Sequence, residues 1–488
     1  MKRLFAILTA CAVLFSFTMT SLAEGSTPPS MPEGMGTPPE DMGTPPEGMG
    51  TPPENMRTPP DGMGTPPDGM PGGAPGQMGG SSADLTYTAS VEITTADTQT
   101  DVTYASETAD ESALIINTDE SVSVENPTVT KTGDSDGGDS CNFYGLNAAV
   151  LAMGGADVTI TGGTIESDAD GANGVFCYGG NGGQNGAEGD GTTVHISDTV
   201  ITTTGNGSGG IMTTGGGVTY ADNLTVTTSG GSSAPIRTDR GGGKVVVTGG
   251  TYTANGLGSP AIYSTADVTV TDATLISNLS EGVCIEGINS ITLTNCDLTA
   301  NNTQCNGNAT FLDTIMIYQS MSGDADSGTS SFTMTGGSLT SMNGHVFHVT
   351  NTHAVISLSG VNIVNEDEEN VLISVCADGW NGDTNSAVLN ADAQLLSGAI
   401  LVGDDSTLTL NLTNGSTLEG CVSGSITNSK GNVVSTEVGT VTVTLDETST
   451  WTLTADSYIT EFSGNAANVH SNGYTLYVGG TALEGVSE

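Results

Sequence analysis

The sequence predicts an all-β protein: a right-handed parallel β-helix (β-solenoid) behind a disordered Pro/Gly/Met-rich N-terminal stalk. Three observations point there. A strand-corner-strand template recurs through the middle of the 488-residue chain. Its copies return at a basic interval of about 23 residues. The composition, with 70 glycines and a 5% aromatic share, favours small, turn-forming and β-prone residues over those of ordinary globules.

Residues 1–23 read as an export signal. Lys2 and Arg3 precede an apolar run from Leu4 to Phe17, and Ser21-Leu22-Ala23 forms a small-x-small exit. Leu8-Thr9-Ala10-Cys11 offers a second reading, a lipidated Cys11, but leaves only about seven residues for the apolar stretch. No later run has the roughly eighteen apolar residues of a membrane helix, so no transmembrane segment is expected. The expected location is extracellular or at the cell surface.

Residues 24–80 form a low-complexity linker. The heptad [GR]-T-P-P-[DE]-x-M runs five times from Gly36 to Met70. Paired prolines forbid helix and hold an extended backbone, while glycines loosen it, so the segment serves as a spacer. Copper(I) binding by the repeated Met residues is the alternative, unsupported by any neighbouring His or Cys.

Residues 81–400 carry the template. Segments starting at Val122, Val158, Val194, Val218, Val245, Val268, Ile291, Phe332 and Ile356 have a second large apolar residue two positions on, such as Ile160, Tyr220 and Val270. This alternation is a strand with one buried face. Four positions after each start stands a residue that tolerates a left-handed backbone: Asn126, Gly162, Asp198, Asp222, Gly249, Asp272, Asn295, Gly336 or Gly360. An apolar residue returns after seven in all copies but one, where Thr225 is flanked by Leu224 and Val226. The starts lie 36, 36, 24, 27, 23, 23, 41 and 24 residues apart, so longer coils carry insertions. A further apolar strand per coil, such as Val150-Leu151, Val175-Phe176 and Ile262-Tyr263, gives three short strands that must stack to be buried. A β-sandwich would show hairpin turns about every 8 to 12 residues without a fixed template.

Residues 401–488 read as wider terminal coils and a cap. Leu408-Thr409-Leu410 and Ser416-Thr417-Leu418 match Val441-Thr442-Val443 and Ser449-Thr450-Trp451 at an interval of 33, with Trp451 and Phe462 large enough to plug the open end.

The motifs V-T-I-T-G-G-T-I at Val158 to Ile165, V-V-V-T-G-G-T-Y at Val245 to Tyr252 and F-T-M-T-G-G-S-L at Phe332 to Leu339 resemble coils of secreted bacterial right-handed β-helix proteins, the adhesin-like, pectate-lyase-like superfamily. The resemblance covers roughly residues 100 to 480. It implies the fold, but leaves open polysaccharide lyase or hydrolase, carbohydrate-binding protein and adhesin.

Eight Lys and Arg against 55 Asp and Glu, a net charge of -47, exclude a nucleic-acid partner. Three of the basic residues fall in Arg237-Thr238-Asp239-Arg240-Gly241-Gly242-Gly243-Lys244. The superfamily's lyases use an arginine base beside calcium-bound aspartates, so the resemblance makes Arg237, Asp239 and Arg240 the catalytic candidates for abstracting a proton beside a uronate carboxyl. An Arg-Asp-Arg pairing that neutralises part of an acidic column is the structural alternative, and no matching Asp set is evident on neighbouring coils. Acidic loops at Asp134, Asp136 and Asp139, at Asp168 and Asp170, at Asp324 and Asp326, and at Glu366 to Glu369 suit calcium, the one cofactor the sequence suggests, or solvated surface charge. Trp380, flanked by turn formers, is the sugar-stacking candidate, with Tyr178 and Tyr318 behind it. His345 and His348 are expected on opposite faces of a strand, which argues against a metal site. Seven cysteines without any CxxC remain after signal removal, as column fillers or free thiols. The leading expectation is a non-catalytic adhesin-like protein that binds an extracellular polysaccharide or a surface protein.

Overall fold

Alternation decides which side of each strand is buried. In Asp157–Thr161, Val158 and Ile160 are buried while the residues between them face solvent; Asp267–Thr271 buries Val268 and Val270 in the same way. Such strands bury nothing alone, so each coil lies on the next. The computed structural model describes residues 85–182 and 188–488. The expected signal peptide and Pro-rich linker lie outside the described residues.

Three long parallel sheets result, in which each strand pairs with the strand three further along, except that Ser406–Thr413 pairs with Thr440–Leu445, five further along. Sheet I runs through 13 strands from Thr88–Ile93 to Val422–Ser423, sheet II through 14 from Asp97–Thr100 to Glu461–Ser463, and sheet III through 10 from Thr103–Ser106 to Asn362–Asn365. This is a parallel β-helix, and a sandwich is excluded because every pairing in these sheets is parallel. The short apolar strands form sheet I, in which Val150, Val175, Ile211, Ile236, Ile262, Val283 and Ile315 stack in one inward column. Each fully buried Val, Leu or Ile contributes roughly 1.5–3 kcal/mol.

Between sheets II and III the chain turns through a left-handed residue. Asn126, Asp198, Asp272 and Asn295 have φ between 50° and 55°, and Gly162, Gly249, Gly336 and Gly360 take the same region. The fourth copy departs from expectation: Thr219, not Val218, pairs with Val194 and Val245, which exposes Tyr220 and moves the left-handed residue from Asp222 to Asn223. The slip therefore lies at the strand's start. With it, Val226 rather than Thr225 falls inward, and the anomalous copy becomes regular.

The template change expected at 401 is confined to one side of the column. Sheets I and II pass residue 400 unbroken, whereas sheet III ends at Asn365 and a separate four-stranded sheet begins at Leu395–Ser397. The 33-residue match is real stacking, with Leu408 on Val441 and Leu418 on Trp451. Trp451 is wholly buried and donates its indole N–H to the Gly420 carbonyl at 3.0 Å. Phe462 packs against the core but stays partly exposed.

Sheet I is covered on its outer face as well. The helix Asp139–Tyr144 lays Phe143 and Tyr144 over Leu151, Phe176 and Met212. Trp380 packs over Cys284, Met316 and Tyr318. An antiparallel hairpin, Ile426–Thr427 with Val433–Ser435, closes over Phe311 and Cys376.

Candidate functional site

Between sheets III and I the corner is made by stacked glycines. A Cβ on Gly256 would lie 1.7 Å from the Gly230 carbonyl oxygen, one on Gly230 1.8 Å from that of Gly205, and one on Gly205 1.9 Å from that of Ala169. No side chain fits, so successive backbones rest directly on one another. Three residues after each glycine stands a buried serine. Ser208, Ser233 and Ser259 donate their hydroxyls to the carbonyls of Ala169, Gly205 and Gly230 at 2.7, 3.0 and 2.9 Å. Their oxygens accept from the N–H of Ala172, Ser208 and Ser233 at 2.9, 2.9 and 2.8 Å. This ladder carries hydrogen bonding through a corner where strand pairing lapses.

The tight corner leaves a groove of about 610 Å³ along the column, lined by Asp136, Asn142, Asp170, Asn206, Asn255 and Asn306 with the apolar Leu257 and Leu279. Loops from successive coils contribute to it at a rise of about 4.8 Å each. A side pocket of about 210 Å³ shares Ser232 and Asn306 with the groove and opens onto Arg237 and Tyr263. Sequence reasoning missed the groove, although the Gly-x-x-Ser spacing at Gly205–Ser208, Gly230–Ser233 and Gly256–Ser259 announces it.

The structure brings the three catalytic candidates into one network. Arg237 is paired with Asp239 at 3.0 Å and also donates to Asn142 Oδ1 at 3.2 Å and the Ser232 carbonyl at 2.8 Å. Arg240 is held by Asp324 at 2.7 Å and lies 4.2 Å from the centre of the Phe143 ring. Glu286 ends the sheet I strand Val283–Glu286 nearby. Glu286 accepts from the hydroxyls of Tyr263 at 2.7 Å and Tyr318 at 3.0 Å, and from Ser320. Burial pushes the Asp239 carboxyl up to about 7 even though Arg237 opposes the rise. Burial and the Glu286 charge raise both tyrosines well above their ordinary range. Each guanidinium therefore has a carboxylate partner, the arrangement of a packed ion-pair network.

Two of the three aromatic candidates are corrected. Tyr178 is buried against Tyr144, with ring centres 5.8 Å apart, and Tyr318 is buried with its hydroxyl on Glu286. Both stand on sheet I under the covering segments, so neither offers a ring face to a sugar. Trp380 is half-buried and spends one side on Tyr318 at 4.9 Å.

The acidic candidates are spread along the corner. Asp134 Oδ1 accepts from the Asp170 N–H at 2.9 Å and Asp170 Oδ1 from the Asn206 N–H at 2.7 Å, while Asp168 accepts from the Thr204 hydroxyl. These carboxylates tie coil to coil. Asp136 lines the groove and Asp139 opens the short helix. Among the described residues no three His, Cys, Asp or Glu side chains are gathered to hold a metal ion, and all seven cysteines are free thiols.

His345 and His348 do not diverge as alternation would have it. Both place Nδ1 2.7 Å from Ser374 Oγ. His345 begins its strand directly after Gly344, whose φ is 78°, so strand alternation does not yet govern its side chain. Comparison with known protein families, curated proteins and solved structures yields no match.

Proposed function

We propose that this chain binds an extended, hydroxyl-rich and uncharged polymer, a neutral extracellular polysaccharide, along the groove between sheets III and I, without altering it chemically. The groove's run along the column, lined by side-chain amides and carboxylates, carries this reading. Asn and Asp side chains pair with neighbouring sugar hydroxyls, and Leu257 and Leu279 offer apolar surface to a sugar ring. A net charge of -47 repels acidic glycans at long range and favours neutral ones. The export signal and Pro-rich spacer read from the sequence suit display at a cell surface or release from it, and the coil motifs suit an adhesin-like member of the pectate-lyase-like superfamily. Against the lyase reading stands the engagement of Arg237 and Arg240 with Asp239 and Asp324.

A glycan array read with wild-type protein and with Leu279→Asp tests this. Leu279 is 41% exposed, so the substitution changes the groove and spares the core. Neutral glycans should bind, and the variant should lose them at unchanged melting temperature. Binding indifferent to Leu279→Asp would remove the groove from the account. Soluble product from any glycan, lost in Arg237→Ala, would establish catalysis instead.

A further inference from the structure

We propose that Lys131 and Asn147 form a self-modification site, at which the two side chains join in an intramolecular amide bond. Lys131 ends the sheet III strand Thr128–Lys131 with its side chain turned inward and wholly buried. Its amine bridges two backbone carbonyls, that of Thr108 at 3.0 Å and that of Gly133. Asn147 is 1% exposed and stands in the left-handed region at φ 66°. Its Nδ2 donates to the same Gly133 carbonyl at 2.9 Å and to the Asp170 carbonyl at 3.3 Å. One oxygen therefore holds the amine and the amide nitrogen together, within about 6 Å of each other.

A lysine buried only for packing would be expected to look different. An ammonium carries three donors and, away from water, calls for a carboxylate. Lys131 has two carbonyl acceptors and, among the described residues, no ion pair. A neutral amine has two N–H donors, which the two carbonyls match, and keeps a lone pair. Burial holds the amine below its ordinary range, although Glu111, Asp134 and Asp110 oppose the shift. On the facing side chain, Asn147 Oδ1 is buried with no hydrogen-bond partner among the described residues. The oxygen that would gather negative charge during attack is thus open to a proton.

The step is an amide exchange. Lys131 Nζ bonds to Asn147 Cγ, the Cγ–Nδ2 bond breaks, one proton passes from Nζ to Nδ2, and ammonia leaves. No oxidant or second substrate is required. Glu111 is assigned the proton transfer: its charge acts on the amine more strongly than that of Asp134 or Asp110. Its Oε1 accepts from the Ser106 hydroxyl at 2.9 Å, and Ser106 is the partner of Lys131 in the register of sheet III. The bond would close residues 131–147 into a ring. That ring contains the helix Asp139–Tyr144, which covers sheet I, together with Asp136 and Asn142 of the groove wall.

Trypsin digestion of the denatured full chain, read by mass spectrometry, tests the bond. Arg57, Lys131 and Arg237 are successive basic residues, so an unlinked chain yields residues 58–131 and 132–237. A linked chain resists cleavage at Lys131 and yields one product, 58–237, lighter than its sequence by one ammonia. In Asn147→Ala, cleavage at Lys131 should return. In Glu111→Gln, altered at a half-buried position, linkage in freshly made protein should proceed about a hundredfold or more slowly. The proposal fails if wild type is cut completely at Lys131, if the uncut product has its full sequence mass, or if Asn147→Ala still gives the light product. Linkage at the wild-type rate in a folded Glu111→Gln would overturn the assigned proton transfer.

Discussion

Replacing Asp239 with Asn should change how stability depends on pH. Asp239 is 4% exposed on the outer side of sheet I, with Arg237 at 3.0 Å as its ion partner. Burial dominates, so the carboxyl rises from 3.8 to about 7 on folding. Since the native state holds this proton more tightly than the unfolded chain, the contribution is fully present below pH 3.8 and is lost as pH climbs through about 7. That span corresponds to about 4 kcal/mol, an upper value because local relaxation around the pair would soften it. Asparagine has the shape of the protonated acid and does not ionise. Urea unfolding followed by circular dichroism at about pH 4 and about pH 7.5 gives the comparison, read as midpoints because a long stack of coils need not unfold in two states. Other carboxylates titrate in both proteins and cancel in the difference. Wild type should fall relative to Asp239→Asn as pH rises. Parallel pH profiles, or a wild type that gains on the variant, would show that the Arg237 pair and not burial governs this carboxyl.

Two further outcomes are expected. Ile160→Asp or Val270→Asp puts a carboxylate without a partner at a core position that is at most 1% exposed, and should cost several kcal/mol and unfold or shorten the column; full thermal stability in either variant, measured by calorimetry, contradicts the register. Calcium should raise the melting temperature no more than sodium at matched ionic strength, because Asp134, Asp168 and Asp170 accept hydrogen bonds from neighbouring coils and do not gather at one point; stabilisation that saturates with calcium alone would place an ion among them.

The fold was legible because its rule is local and repeated. Val158, Ile160 and Gly162 announce buried face, buried face and bend within five residues, and each later copy repeats the message until the stacking partner is implied. Tyr220 shows the limit. A large apolar residue sat where an inward one was due, and only the pairing of Thr219 with Val194 and Val245 reveals that the frame had slipped. Outward positions were less legible for a physical reason. On sheet I both faces are buried, the outer one by segments inserted far away in sequence, such as the helix at 139–144 and the hairpin at 426–435. Tyr178 and Tyr318 looked like free loop aromatics because residues that pack on them, such as Tyr144 and Trp380, lie far away in sequence.

The same remoteness explains why the chemistry of the candidate sites stayed hidden. Asp239 and Glu286 are 47 residues apart by number, yet one directly follows the sheet I strand Ile236–Thr238 and the other ends the sheet I strand Val283–Glu286. Ser374 stands beside His348 in the register of sheet I, but Asp378 reaches His348 only from a loop that interrupts the template. A solenoid places position i of one coil over the matching position of the next, so a row of like residues can be read from the period alone. Convergence of unlike groups needs the insertions, whose lengths of up to 18 residues beyond the basic coil follow no period. The corner groove is periodic, announced by Gly-x-x-Ser, and suits an extended repeating ligand. The pocket at His345 is aperiodic, walled by a hairpin that belongs to another coil.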